Sequence, residues 1–91
     1  MQVKYFAYIR DYTKCKECNE EDKTTVKELL HHLSDKYGAE FRAKALKNDG
    51  NELGDDIIIL VNGRHVAHLD GIDTKLTSSD VVQVFPVVAG G

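Results

Sequence analysis

The chain has 91 residues, a hydrophobic fraction of 42% and a formal net charge of −3. That length predicts one domain able to bury a core without staples, because a chain of this size hides roughly 60–70% of its unfolded surface. The acidic balance excludes the basic footprint of a nucleic-acid binder, and no apolar run approaches the ~20 residues that span a bilayer.

Val3, Tyr5, Ala7 and Ile9 alternate with Lys4, Phe6, Tyr8 and Arg10. This period of two predicts a first strand. Asp11 to Lys23 is polar and weakly patterned, with a short edge strand expected around residues 16–21. Thr25 and Glu28 then form a T-x-x-E capping box, in which hydroxyl and carboxylate each take one free backbone N–H. Val26, Leu29, Leu30, Leu33 and Tyr37 follow at helical spacing along one face. Gly38 stands where a left-handed stop costs least. A second, shorter helix is expected from Ala39 to Leu46, anchored by Phe41 and Leu46, and Asn48 to Asp56 reads as a loop.

Ile57 to Val61 is an unbroken aliphatic run. Asn62-Gly63 is a strong hairpin signal, because both residues tolerate positive φ. Arg64 to Leu69 is expected to return as the partner strand, with Val81 to Phe85 as the last one. One long helix against a mixed four- to five-stranded sheet is an α+β arrangement.

Strand alternation sorts the faces. Val82 and Val84 are the natural inner pair, which puts Val81, Gln83 and Phe85 outside. A two-residue turn pairs Leu60 with His65 and Ile59 with Val66, and cross-strand partners share a face. The outer face is therefore expected to gather Phe6, Phe85, Leu60 and Ala67, with His65 on the rim. Unless a loop or the second helix covers it, an apolar cluster rimmed by polar groups is a docking surface.

The sequence ends in Gly90-Gly91 after Phe85-Pro86. Such an ending is either a frayed terminus or a thin, side-chain-free peptide that enters a narrow channel and presents its carboxylate. The residues that separate these readings are Phe6-Ala7-Tyr8-Ile9-Arg10-Asp11, Thr25-Val26-Lys27-Glu28-Leu29-Leu30, Val61-Asn62-Gly63-Arg64, His68-Leu69-Asp70-Gly71 and Phe85-Pro86-Val87-Val88-Ala89-Gly90-Gly91. Together they resemble the small ubiquitin-like sulfur carriers, typified by the small subunit of molybdopterin synthase (MoaD) and the thiamine sulfur carrier (ThiS). The resemblance covers nearly the whole chain and is closer to the molybdopterin branch, although Val87 stands where that branch often has a second proline.

The resemblance implies a β-grasp domain over residues 1–86 and a flexible tail over residues 87–91. It implies that an E1-like adenylating enzyme of the MoeB/ThiF type consumes ATP to activate the Gly91 carboxylate. A persulfide donor then converts it to a thiocarboxylate. The tail, with Pro86, Val87, Val88, Ala89 and Gly90, would then enter a MoaE-type large subunit of molybdopterin synthase. The chain itself offers no P-loop, general base or oxyanion hole, so it reads as carrier and co-substrate, with no bound cofactor and with catalysis by its partners. Related acceptors within the same architecture are thiolated tRNA, thiamine or cysteine synthesis, and protein lysines.

Cys15-Lys16-Glu17-Cys18 is a C-x-x-C without a second pair, so no metal site is expected. It is half of a zinc site, a redox dithiol or, as the favoured expectation, two ordinary thiols. His31 and His32 are expected in solvent on the helix, His65 and His68 on the return strand, and Arg10 paired locally with Asp11. The segment Met1 to Tyr5 lacks the basic and apolar regions of a signal peptide, which makes a cytoplasmic location the expectation, with no membrane partner.

Overall fold

The computed structural model describes residues 1–87. Strand β1 runs Gln2–Tyr5, shorter than the alternation predicts. Ala7 turns to φ 53°, and helix α1, Ile9–Thr13, follows at once. The period-two pattern misleads here because Ile9 returns to the core through a helical turn: Tyr5 and Ile9 are both fully buried. A left-handed Lys14, whose N–H donates to the Arg10 carbonyl, closes α1. Strand β2, Glu17–Asn19, pairs antiparallel with β1 as the expected edge strand, with Cys18 opposite Val3.

Helix α2 spans Val26–Tyr37. The Thr25 hydroxyl accepts from the Glu28 N–H at 3.2 Å. The Glu28 carboxylate reaches back one residue further than a capping box predicts, accepting from the Thr24 hydroxyl at 2.8 Å and the Thr24 N–H at 3.3 Å. Val26, Leu29, Leu30 and Leu33 are fully buried, each such side chain contributing about 1.5–3 kcal/mol. Gly38 has the positive φ expected of a helix stop, 101°, but an extended ψ of −175°. That conformation ends α2 and starts α3, Ala39–Ala45, anchored by buried Phe41.

The stretch expected as a plain loop carries a small hairpin. Strand β3, Leu46–Lys47, pairs with β4, Glu52–Leu53. Asn48, Asp49 and Gly50 all take positive φ between them, so a tight turn replaces the open loop that the polar composition implies. Strand β5 is Ile57–Val61. Asn62 and Gly63 adopt φ 51° and 84°, the two positive values that the Asn-Gly hairpin signal anticipates.

The return strand is much shorter than predicted. Strand β6 is only Arg64–His65. Single 3₁₀ turns follow at Val66–His68 and Gly71–Asp73. His65 Nδ1 accepts from the Ala67 N–H at 2.9 Å and the Leu69 N–H bonds back to the Val66 carbonyl. Local bonds thus take the backbone groups that a longer ladder would need, while Val66 still reaches the core.

Strand β7, Val81–Pro86, completes a five-stranded sheet in the order β2-β1-β7-β5-β6. It lies parallel to β1 and antiparallel to β5. The inner sheet residues Val3, Tyr5, Ile57, Ile59, Val82 and Val84 share one buried cluster with the apolar stripe of α2 and with Phe41. The sheet is thus mixed, with the helices on one face, and the class is α+β as expected. Glu20, just past β2, ties the edge to α2: its buried carboxylate accepts from Lys36 at 2.7 Å and lies 3.2 Å from His32 Nε2. His32 is therefore half-buried and engaged rather than simply solvated. His31 lies 2.8 Å from the Gly50 carbonyl, again engaged.

Candidate docking face and tail root

The register assembles the outer face in two rows. Lys4 pairs with Gln83, Gln83 with Leu60, and Leu60 with His65, so these four cross the sheet side by side. The next row holds Phe85 opposite Ile58. Phe6 stacks flat on Phe85, ring centroids 4.1 Å apart and planes 7° from parallel. Phe6, Ile58, Leu60, Gln83 and Phe85 are all half-buried, on the sheet face opposite the apolar stripe of α2.

Arg10 extends the stack. Its guanidinium carbon sits 5.7 Å from the Phe6 centroid, within cation–π range, and its Nε–H donates to the Tyr5 carbonyl at 2.8 Å. The expected Arg10–Asp11 pair gives way to this arrangement, because α1 swings the arginine over the sheet. The result is an apolar centre with cationic Lys4 and Arg10 beside it. Such a surface suits a partner with an apolar pocket and acidic neighbours.

Of the residues expected at this surface, Phe6, Leu60, His65 and Phe85 come together. Ala67 does not join them, since the 3₁₀ turn removes it from the strand, although it stays exposed. His65 keeps its Nδ1 side engaged with Ala67, and the His68 ring meets it edge-on at 5.9 Å. Pro86 is buried opposite Ile57 at the last rung of β7, so it anchors the C-terminal residues to the sheet and is not an open contact. Val87 is 43% exposed, and its N–H donates to the Asp56 carbonyl at 3.0 Å. Val88, Ala89, Gly90 and Gly91 lie outside the described residues. Ile58 and Arg10 join the face without having been expected there. Ile58 obeys the same alternation that puts Leu60 outward, whereas Arg10 depends on the unforeseen α1.

Cys15 and Cys18, expected as two ordinary thiols, are joined in a disulfide. The left-handed Lys14 folds the end of α1 back, which brings Cys15 beside Cys18 in β2. Among the described residues no group of three His, Cys, Asp or Glu is arranged to hold a metal ion. An open groove of about 280 Å³, lined by Arg42, Leu46, Lys47 and Gly50, belongs to the helix layer rather than to this face.

The position of the tail root is mechanical in its consequence. Strand β7 is the middle strand of five and is hydrogen-bonded on both sides. The β1 ladder holds β7 up to Val84 and the β5 ladder up to Pro86, so Pro86 and Val87 are fixed to the β5 side beside the Phe6–Phe85 pair. A mixed five-stranded sheet folded around one main helix, with the C-terminal strand at its centre, defines a ubiquitin-like β-grasp domain.

The chain belongs to the ThiS family of ubiquitin-like sulfur carriers, whose family model matches residues 3–91. It is 38% identical over 93 residues to small archaeal modifier protein 3 of Haloferax volcanii, covering 100% of this chain and 98% of that one. It is 44% identical over 70 residues, 77% of each chain, to an Archaeoglobus fulgidus protein named provisionally as a sulfur carrier. Among solved structures it resembles a chain in the BexX/CysO complex of Amycolatopsis orientalis with TM-score 0.83 and 25% identity, over 99% of this chain and 98% of that one. No helix among the described residues is long and apolar enough to cross a membrane.

Proposed function

We propose that this protein is a cytoplasmic sulfur carrier whose Gly91 carboxylate is adenylated and then converted to a thiocarboxylate, serving as the small subunit of a molybdopterin synthase. The observation that supports this most is the relation between the uncovered Phe6–Phe85 surface and the β7 root from which the Gly-Gly ending continues. A free α-carboxylate has a pKa of about 3.3–3.7 and is an anion at neutral pH, so it is a poor electrophile. Adenylation supplies the leaving group. A persulfide sulfur then attacks the carbonyl carbon and AMP departs; a second thiol of the donor attacks the resulting acyl disulfide, which releases the thiocarboxylate and leaves the donor as a disulfide. Glycine leaves that centre unobstructed.

The partners in this reading are an E1-like enzyme of the MoeB/ThiF type, which consumes ATP, a persulfide donor, and a MoaE-type large subunit. The carrier needs no cofactor of its own and performs no catalysis. Ordering residues 87–91 in a partner channel costs on the order of 5–10 kcal/mol at about 1–2 kcal/mol per residue. Burying Val87 and Val88 returns only about 1.5–3 kcal/mol each. The folded face therefore supplies most of the affinity.

A second reading is supported by the Haloferax relative named as a modifier protein. In it the activated Gly91 carbonyl is attacked by a protein lysine, or its sulfur goes to tRNA or into thiamine or cysteine synthesis. Intact mass spectrometry after incubation with activating enzyme, ATP and a sulfur source tests the shared step. One terminal oxygen should be exchanged for sulfur, and deletion of Gly91 should abolish the exchange. An unchanged mass in the full chain rejects the first reading and the sulfur-transfer branch of the second, and failure of Gly91 to form an adenylate rejects the lysine branch as well. A thiocarboxylated chain that a MoaE-type subunit does not accept rejects the first alone.

A further inference from the structure

The carrier chemistry leaves the Cys15–Cys18 pair unused. We propose that Cys15 and Cys18 form a reversible thiol–disulfide exchange site that takes a dithiol reductant and whose state is felt at the Phe6 end of β1. The first support is chemical accessibility. Both cysteines are only half-buried. Lys14 and Lys16 flank Cys15 and are exposed, and cationic neighbours favour the thiolate form. Cys15 Sγ also lies 3.8 Å from the Tyr37 hydroxyl, a further polar contact for that sulfur.

The second support is the circuit of hydrogen bonds that runs through the motif. The Tyr5 N–H donates to the carbonyl of Lys16, inside the C-x-x-C loop, at 2.7 Å. The Tyr5 carbonyl accepts from Arg10 Nε at 2.8 Å. The Arg10 carbonyl accepts from the Lys14 N–H, one residue before Cys15, at 2.8 Å. Tyr5 immediately precedes Phe6, and Arg10 lies over the Phe6 ring. The covalent bridge from Cys15 to Cys18 in β2 thus holds the loop that fixes both neighbours of Phe6.

In the exchange, a thiolate of the reductant attacks Cys18 Sγ and the Cys15 thiolate leaves, stabilised by its lysine neighbours. The second thiol of the reductant then attacks the mixed disulfide and releases Cys18. Two electrons and two protons pass to the protein, and the dithiol becomes its own cyclic disulfide. Opening the bridge frees the loop and loosens the Lys16 carbonyl as an acceptor for Tyr5, while the central ladders of β5 and β7 remain closed.

The test uses the full chain equilibrated in mixtures of reduced and oxidised dithiothreitol. Alkylation with iodoacetamide followed by intact mass should show zero labels passing to two in one transition. Amide hydrogen exchange should then show Tyr5 at least about tenfold faster in the dithiol form, with β5 amides unchanged. The Cys15→Ser/Cys18→Ser double variant should reproduce the fast Tyr5 exchange under oxidising conditions. Two labels at every mixture, equal Tyr5 exchange in both forms, or acceleration spread equally over β5 would each overturn the proposal. No arm uses the C-terminal residues, so its outcome is separable from that of the carrier reading.

Discussion

Phe6 and Phe85 lie face to face across the β1–β7 boundary, 4.1 Å apart, although 79 positions separate them along the chain (85 − 6 = 79). The parallel pairing of the two strands produces this contact. It places an aromatic pair at the edge from which the C-terminal residues continue. Phe85→Ala should weaken binding to the activating enzyme by about 2 kcal/mol or more, roughly thirtyfold, as for a central aromatic anchor. Loss of the ring pair should cost stability only about 0.5–1.5 kcal/mol. Calorimetric titration beside a thermal melt separates the two, and equal affinity of variant and wild type would remove this face from the interface.

Glu20 offers a contrasting case, in which a polar side chain is structural. Its carboxylate side chain is 2% exposed and joins Lys36 and His32 of α2 to the segment after β2. This contact also raises the Lys36 ammonium above its ordinary pKa. Hydrogen bonds to charged groups contribute about 1.5–3 kcal/mol each when buried, and exposure of Lys36 lowers its share. Glu20→Ala should therefore lower the urea unfolding free energy by about 1–3 kcal/mol without altering the thiocarboxylation reaction. An unchanged unfolding midpoint would show that the cluster is ornamental.

Tyr5 is fully buried, and among the described residues its hydroxyl has no hydrogen-bond partner. Burial, with the neighbouring Tyr37 as a lesser cause, pushes the phenol far above its ordinary pKa, so it stays neutral. An unpaired buried hydroxyl costs about 1–3 kcal/mol. Tyr5→Phe should consequently raise the urea midpoint while keeping the edge-on contact with Tyr37. A lowered midpoint would reveal a partner for the hydroxyl.

Asp80 fastens the hairpin tip to the start of β7. The Thr77 N–H and the Asn62 amide both donate to its carboxylate, at 2.8 and 2.9 Å. These bonds hold its pKa below the ordinary 3.8, the Thr77 backbone bond most strongly. The folded state therefore resists protonation more than the unfolded state does. The stabilisation is present above pH about 3.8 and is lost as pH falls through the depressed folded value. Acid unfolding of Asp80→Asn should show a shallower slope in that window. A slope identical to wild type would deny Asp80 this role.

Much of this molecule was legible in the chain itself. The α2 stripe, the Asn62-Gly63 turn and the alternation of β5 and β7 are local patterns, set by side-chain periodicity and by which residues tolerate positive φ. They sufficed to place Leu60, His65 and Phe85 on one face. The positions that escaped were decided by backbone turns and packing that side-chain periodicity does not record. Ile9 satisfies a strand pattern, yet α1 buries it, because the core fills equally well through a helical turn. Val66 and Ala67 leave the ladder because local hydrogen bonds compete for their backbone groups. Arg10 reaches Phe6 only because α1 follows the turn at Ala7, and Cys15 reaches Cys18 only after the left-handed Lys14 has folded one segment back. Periodicity records which side of an element is apolar, whereas the strand order, which makes the last strand the central one, is settled only when all five strands share a single core.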